Sequence, residues 1–185
     1  MKVYILRPDI DEYRGLFFSR KEDVLEFNRR FDGTPMKNNW KREVKFVFRP
    51  GTKPKGDFPG LSTHIPVFNL KAVKALADLL EGNGELLPTT CDDGEDYFLF
   101  NVTRVIDALN EANCAMKRFT DGKLMYIVRH SFFPDRVAGV KVFKLPQIPL
   151  MDVFVTDDFV KSVRTAKLKG FEFRPVWSDE IRLVR

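Results

Sequence analysis

Acid–base or nucleophilic chemistry in this chain would have to begin at its two histidines, His64 and His130. A hydrolytic triad needs a histidine that contacts both a nucleophile and a carboxylate in the folded protein. Ser62 and Thr63 precede the first histidine and Ser131 follows the second, but neighbours in sequence do not fix that geometry. No G-x-S-x-G nucleophile motif occurs. We therefore expect structural or surface histidines and no recognisable catalytic residues.

The densest acidic stretch, residues 91–96 (CDDGED), has the residue types of a cation site without the spacing. A calcium loop takes its ligands from alternating positions and from a distal glutamate. Cys91 and Cys114 lack the C-x-x-C or histidine partners of a zinc site. We expect a solvated loop and two free thiols, with no metal and no cofactor. Contact of this loop with a basic partner stays an alternative.

Residues 51–56 (GTKPKG) superficially resemble a phosphate-binding loop. They lack the G-K-[ST] ending and the helix that must follow it, and Pro54 removes a backbone N–H donor. The stretch 49–65 reads as a long ordered loop. Its central residues suit a structural role, in which Asp57 accepts backbone hydrogen bonds and Phe58 inserts into the core. Recognition of a partner by the same residues is the alternative.

Two groups of basic residues are candidate contact surfaces. Tryptophan and arginine are the commonest hot spots of protein interfaces, and an aromatic ring among basic residues is also typical of nucleic-acid binding. The nucleic-acid reading concerns only the group around Trp40, and a solvated basic face is an alternative for both groups. The candidate partner-binding residues are Trp40, Lys41, Arg42, Lys53 and Lys55 in the first group, and Lys161 and Arg164 in the second.

Composition narrows the class of protein. The 185 residues hold 31 basic and 26 acidic side chains, so the net charge of +5 favours acidic partners. Two cysteines in a chain of this length indicate a reducing compartment. The N-terminus lacks the apolar stretch of a signal peptide, and no apolar run approaches the roughly 20 residues of a membrane helix. We expect a cytoplasmic protein without membrane contact.

Hydrophobic periodicity predicts one α+β domain over residues 1–185, with a mixed or mostly antiparallel sheet and three to four helices. A segment near the C-terminus reads as strand, helix and strand, and a parallel pairing of its two strands would require a right-handed crossover. Helices are expected at about residues 20–31, 70–81, 103–109 and between 156 and 170. Strands are expected at residues 3–6, 44–48, 97–101, 115–120, 123–129, 140–145, 153–155 and 171–174.

Residues that begin and end helices support these predictions. Ser19, with a glutamate three positions later, predicts a capping box at the first helix. Asn69 opens the second helix, Thr103 the third and Thr156 the last, where each side chain can accept from an orphan N–H group. Gly170 can adopt the left-handed conformation that ends a helix.

Asp121 and Gly122 predict a hairpin with a two-residue type I′ turn. That register places Phe119 opposite Leu124, and residue 117 opposite Tyr126. The continuously apolar run that begins at Leu124 predicts a central strand.

A series of short motifs in chain order then resembles a known family. The motifs are GDFP at 56–59, IPVF at 65–68, KAVKAL at 71–76, NGELLP at 83–88, FNVTRVIDAL at 100–109, VTDDFV at 155–160 and GFEFRPVW at 170–177. Together they resemble a bacterial polymorphic-toxin immunity-protein family, formerly a domain of unknown function. The resemblance covers mainly residues 56–177, which form a family-like core, and residues 1–50 match only loosely.

The resemblance implies an α+β domain that binds and neutralises a cognate protein toxin, usually encoded beside it. It implies no enzymatic activity and supplies no contact residues. The sequence therefore favours a cytoplasmic immunity protein that acts by stoichiometric occlusion. A nucleic-acid-binding module, and an enzyme without a recognisable catalytic set, are the alternatives.

Overall fold

A computed structural model describes residues 1–40 and 45–180. Helices and strands in these residues confirm the predicted α+β class. The strands are β1 (Lys2–Pro8), β2 (Leu16–Phe18), β3 (Lys45–Phe48), β4 (Val67–Asn69), β5 (Gly84–Cys91), β6 (Asp96–Val102), β7 (Ala115–Arg118), β8 (Leu124–Arg129), β9 (Val142–Phe143), β10 (Phe154–Thr156) and β11 (Phe171–Ser178). The helices are α1 (Lys21–Arg30), α2 (Leu70–Ala75), α3 (Ala77–Leu80), α4 (Pro134–Val137) and α5 (Asp157–Thr165).

The described strands form three sheets, where the sequence predicted one. A central sheet has the order β11-β1-β10-β9, and its neighbours are all antiparallel. A second sheet has the order β2-β3-β5-β6-β4, and β3 pairs with β5 in parallel. Strands β7 and β8 form a separate hairpin. In the C-terminal strand–helix–strand unit, β1 lies between β10 and β11, so these two strands are parallel but are not neighbours.

Both faces of the central sheet are covered, because successive side chains of a strand point to opposite sides. Tyr4 and Leu6 of β1 pack in a cluster with apolar side chains of α2, α3 and α5. Val3 and Ile5 pack in a second cluster with the hairpin and with residues between 132 and 148. A third cluster lies between α1 and the second sheet. The described residues therefore bury most of their phenylalanine side chains in three clusters.

The loop at 49–65 is held by Asp57 and Phe58, as the sequence predicts. The Phe58 ring lies 5.3 Å from the Phe68 ring and 4.9 Å from the Phe171 ring, measured between centroids. The Asp57 carboxylate accepts hydrogen bonds from Asn69 Nδ2 at 3.0 Å, Lys71 Nζ at 2.9 Å and the backbone N–H of Lys169 at 2.8 Å. The loop thereby joins the start of α2 to the start of β11.

Lys144 is fully buried, and it is the second residue that joins distant segments. Its Nζ donates to the backbone oxygen of Phe31, to that of His64 at 3.2 Å and to that of Pro149 at 3.0 Å. Burial lowers the pKa of Lys144 to about 8, although the nearby Asp32 carboxylate opposes this shift. The lysine thus joins the end of α1, the loop at 49–65 and the segment after β9.

The predicted starts of the helices are only partly right. Asn69 caps α2, because its side chain accepts from the Ala72 N–H at 2.9 Å. The Ser19 capping box does not form, since α1 begins one residue later than that box requires and has no side-chain cap. Thr156 precedes α5 as predicted, but its hydroxyl donates to the Val140 oxygen at 2.7 Å instead of capping the helix.

The last helix ends differently from the prediction. Lys167, and not Gly170, is the left-handed residue that ends α5, with φ of 52°. The Leu168 N–H then bonds the Val163 oxygen at 3.1 Å, which closes the helix in a Schellman motif. Gly170 also has a positive φ, and it serves close packing, because a Cβ there would lie 3.0 Å from the Phe58 oxygen.

Two further element predictions are wrong. Residues 103–109 form no helix. Isolated bridges link Val105 to Lys144 and Leu109 to Phe132, so pairing with distant backbone overrides the local helix signal. The helix predicted at 70–81 divides at Leu76 into α2 and α3. With the short α4, the described residues hold five α-helices instead of three to four. None of these helices has the length and hydrophobicity to span a bilayer.

Replacing Lys144 with methionine keeps the side-chain length and removes all three hydrogen bonds. We expect a loss of about 2 kcal/mol in the free energy of unfolding at pH 7, because three buried carbonyl oxygens lose their donor. Urea denaturation measures the loss, and Lys74→Met at an exposed position of α2 is the matched control.

Comparison of the wild type with Lys144→Met over a range of pH tests the ionisation of Lys144. Because the folded pKa lies near 8, below the ordinary 10.5, the unfolded chain binds more protons between these two values. The stability of the wild type relative to Lys144→Met should therefore rise by about 3 kcal/mol from pH 8 to pH 10.5. A difference that stays constant over this range would contradict a charged, buried lysine.

Candidate partner-binding groove

The β7–β8 hairpin forms where Asp121 and Gly122 predicted it, but its turn is longer. The Phe119 N–H bonds the Lys123 oxygen at 2.8 Å, so three residues form the loop, and Gly122 has φ of +84°. Residue 117 pairs with Tyr126 as predicted. Leu124 pairs with residue 118 and not with Phe119, because the strands carry irregularities in register.

Strand β8 is not the central strand that its apolar run predicted. It pairs with β7 alone among the described residues. Ile127 is buried against the core, whereas Tyr126 is 45% and Val128 60% exposed. The strand is therefore buried on one face only, and its apolar residues on the other face are open to solvent.

A groove of about 610 Å³ lies beside this open face. We call it the β8 groove. It is lined mainly by residues 126–128 of β8, Ile5 and Arg7 of β1, Arg174 of β11, and the segment 148–152. Ile5 pairs with Arg174 across β1 and β11, and Arg7 lies two residues along the same face. The strand register therefore makes Arg7 and Arg174 diagonal neighbours on one face, with Glu172 directly opposite Arg7.

The segment 148–152 is fixed from both sides. The Thr63 hydroxyl donates to the Met151 oxygen at 2.7 Å, and the Met151 N–H bonds the Ile148 oxygen at 3.1 Å. Within the same segment, Lys144 Nζ donates a hydrogen bond to the Pro149 oxygen. Leu150 remains 37% exposed, so this segment adds an apolar side chain to the groove.

The charged residues that line the groove are Arg7, Asp152 and Arg174. Arg7 Nη2 lies 4.0 Å from Asp152 Oδ1. Burial raises the pKa of Asp152, and the charges of Arg7 and Arg174 oppose this shift. Arg7 also pairs with Glu172 across β1 and β11, so Arg174 is the arginine of the groove that has no ion pair within 4.0 Å among the described residues. Among the described residues, the buried Arg7 Nε has no hydrogen-bond partner.

His130 also lines the groove, and it is a structural histidine as predicted. Its ring stacks on Phe132 with the centroids 6.0 Å apart and meets the Phe154 ring edge-on at 5.5 Å. Burial, followed by the charge of Arg174, lowers the pKa of His130 to about 4. The ring is therefore neutral at neutral pH, and its buried Nε2 lacks a partner among the described residues.

The predicted partner-binding residues lie elsewhere. Trp40 is half-buried, and its Nε1 donates to the Pro88 oxygen at 2.8 Å. Lys53 Nζ donates to the Ile10 oxygen at 3.0 Å. Lys55 Nζ lies 2.6 Å from an Asp93 oxygen and 4.9 Å from the centre of the Phe48 ring. Lys41 and Arg42 lie outside the described residues. In the other group, Lys161 and Arg164 are exposed on α5.

The described members of these two groups do not line the β8 groove. Lys161 instead lines a separate groove between α5 and the α2–α3 segment, near Lys141 and Asp158. Lys53 lines a cleft with Arg14 and Arg49. Partner binding by either group stays a prediction.

The remaining chemistry-bearing residues have structural partners. His64 Nδ1 lies 2.8 Å from the Ser62 hydroxyl. Burial raises the pKa of Cys91 to about 12, so its thiol is a poor nucleophile at neutral pH. The acidic loop at 91–96 joins β5 to β6, and Asp92 in it accepts from the Phe48 N–H at 3.1 Å. The described residues hold no cluster of three or more potential metal ligands.

Sequence reasoning missed the β8 groove because its residues come from five separate stretches of the chain. The run at residues 124–128 is apolar at every position, so it carries no alternation that would distinguish the exposed face of β8 from its buried face.

Residues 89–178, slightly less than half of the chain, match the model of an immunity protein family, Imm11. The match confirms the resemblance found in the sequence and its C-terminal limit, while residues 56–88 lie outside the matched range. Strands β6 to β11 lie within the Imm11 segment, as do the residues that line the β8 groove, except Ile5, Arg7 and Thr63. No curated protein matches the chain significantly.

The buried, neutral state of His130 has a measurable consequence. The pKa of His130 is about 4 in the folded protein and near 6.5 in the unfolded chain. As the pH falls below 6.5, the histidine of the unfolded chain is therefore protonated before that of the folded protein. Its contribution to stability is complete above pH 6.5 and is lost between pH 6.5 and 4, by about 3 kcal/mol. Denaturation of the wild type and of His130→Phe over this range isolates the effect.

Nuclear magnetic resonance provides a direct control for this prediction. The imidazole signal of His130 should not shift between pH 8 and pH 5, and His130→Phe identifies that signal by its loss. A midpoint near 6.5 would contradict the burial of the ring.

Proposed function

We propose that this protein is a cytoplasmic immunity protein that binds and neutralises a cognate bacterial toxin. The observation that carries the proposal is the match of residues 89–178 to the Imm11 immunity protein family. Immunity in such a pair requires that the protein binds its toxin in the same compartment. The proposal extends the family-level role to one specific partner.

The proposed mechanism is stoichiometric occlusion of the toxin. A specific complex of this kind buries about 1,200–2,000 Å² and depends on a few aromatic or arginine anchors near its centre. The β8 groove offers such residues, since Tyr126 and Arg174 line it together. Its walls are held by hydrogen bonds in the free protein, which reduces the ordering that binding requires.

Charge supports a partner with an acidic contact surface. The chain has a net charge of +5, and the β8 groove has two arginines against one aspartate. Complementary charge increases the association rate and disfavours other partners. We therefore expect the contact face of the toxin to be acidic overall.

Co-expression with the toxin encoded by the neighbouring gene tests the proposal. We expect cells that make both proteins to grow and cells that make the toxin alone to die. The purified toxin domain should bind this protein with a ratio of one to one in calorimetry. Equal killing with and without this protein, and no complex in solution, would contradict the immunity function.

A titration of toxin activity distinguishes occlusion from enzymatic inactivation. Half an equivalent of this protein should leave about half of the toxin activity, however long the two are incubated. An enzyme would inactivate all of the toxin at that ratio, because it turns over. Progressive and complete inactivation would therefore contradict occlusion.

A further inference from the structure

We propose that the β8 groove binds a segment of the toxin in which a carboxylate side chain is flanked by apolar side chains. This inference rests on the proposed immunity function and specifies the surface and the chemistry of the contact. The groove residues and not the Trp40 or α5 surfaces would then supply the main anchors.

The apolar part of the segment follows from the exposed side chains of the groove. Tyr126, Val128 and Leu150 are among the few large apolar side chains that the described residues leave exposed, and all three line this one groove. Exposed apolar side chains that lie together mark a contact surface, whereas single ones are common on any protein. A partner that covers them must present apolar side chains of its own.

The carboxylate follows from the charges. Arg7 lies 4.0 Å from Asp152 and pairs with Glu172 across β1 and β11, whereas the exposed Arg174 forms no ion pair within 4.0 Å among the described residues. A carboxylate can accept two parallel hydrogen bonds from one guanidinium group, which makes arginine the preferred residue for this contact. An incoming acidic side chain would therefore pair with the guanidinium group of Arg174.

The same residues favour a protein segment over nucleic acid. A phosphate backbone needs a basic track with aromatic stacking platforms. The β8 groove has instead aliphatic residues at positions 5, 128, 148 and 150, and Asp152 would repel a phosphate. Its mixture of apolar side chains with two arginines is complementary to an acidic and apolar peptide segment.

The test is the affinity of groove variants for the toxin domain encoded by the neighbouring gene. Arg174→Glu and Val128→Asp change exposed residues and should leave the fold intact, which circular dichroism and thermal unfolding check. We expect each variant to weaken binding about 30-fold or more, as loss of a central interface anchor does.

Matched controls lie on α2. Lys74→Glu reverses an exposed charge, and Leu70→Asp places a carboxylate at an exposed apolar residue of the first helical turn, where acid is tolerated. Both should bind the toxin domain within about twofold of the wild type, since surface changes outside an interface have small effects.

The outcomes separate this inference from the proposed function. If the wild type binds and both groove variants bind equally well, the inference is wrong while the immunity function stands. If the wild type does not bind, both are overturned. Weakened binding of Arg174→Glu that is restored when one toxin carboxylate is replaced by lysine identifies the partner residue and supports the inference.

Discussion

Lys144 carries a positive charge in a part of the protein from which water is excluded. It keeps that charge by donating to the backbone oxygens of Phe31, His64 and Pro149. Desolvation of an ammonium group costs several kcal/mol, and the depressed pKa of about 8 reflects that cost. Because three carbonyl oxygens depend on one donor, the segments that carry them are held in one arrangement.

That arrangement shapes the surface that we assign to partner binding. Pro149 lies within the segment 148–152, and His64 follows Thr63, whose hydroxyl holds Met151. The wall of the β8 groove is therefore fixed by interactions beneath the surface, while its exposed side chains remain free for contact. Such a division suits recognition, since a surface that is ordered before binding loses less conformational entropy in the complex.

The sequence predicted most elements whose signals are local. Hydrophobic patterns and turn residues located β1, β6, β10, α1, α5 and the hairpin, although the caps predicted for α1 and α5 do not form. The structural role of Asp57 was also predicted correctly. Strand β5 was missed, because Gly84 and Pro88 weaken its strand signal and its identity depends on pairing with β3 and β6. The helix predicted at 103–109 failed for the same reason, since long-range bridges decide its conformation.

The groove was beyond the reach of sequence reasoning for a different physical reason. Ile5 and Arg174 meet only because β1 inserts beside β11, and β8 approaches them only through the burial of Ile127. Neither event leaves a periodic pattern in the chain. Basic residues around Trp40 were visible in the sequence, but several of them bind neighbouring groups of the same protein.

Hydrogen–deuterium exchange of this protein, alone and with saturating toxin domain, tests the central claim most directly. The account predicts slower exchange in the complex for backbone amides of residues 126–130 and 148–152. A complex in which these residues exchange as in the free protein, while protection is confined to the surroundings of Trp40, Lys53 and Lys55 or to Lys161 and Arg164 of α5, would contradict it.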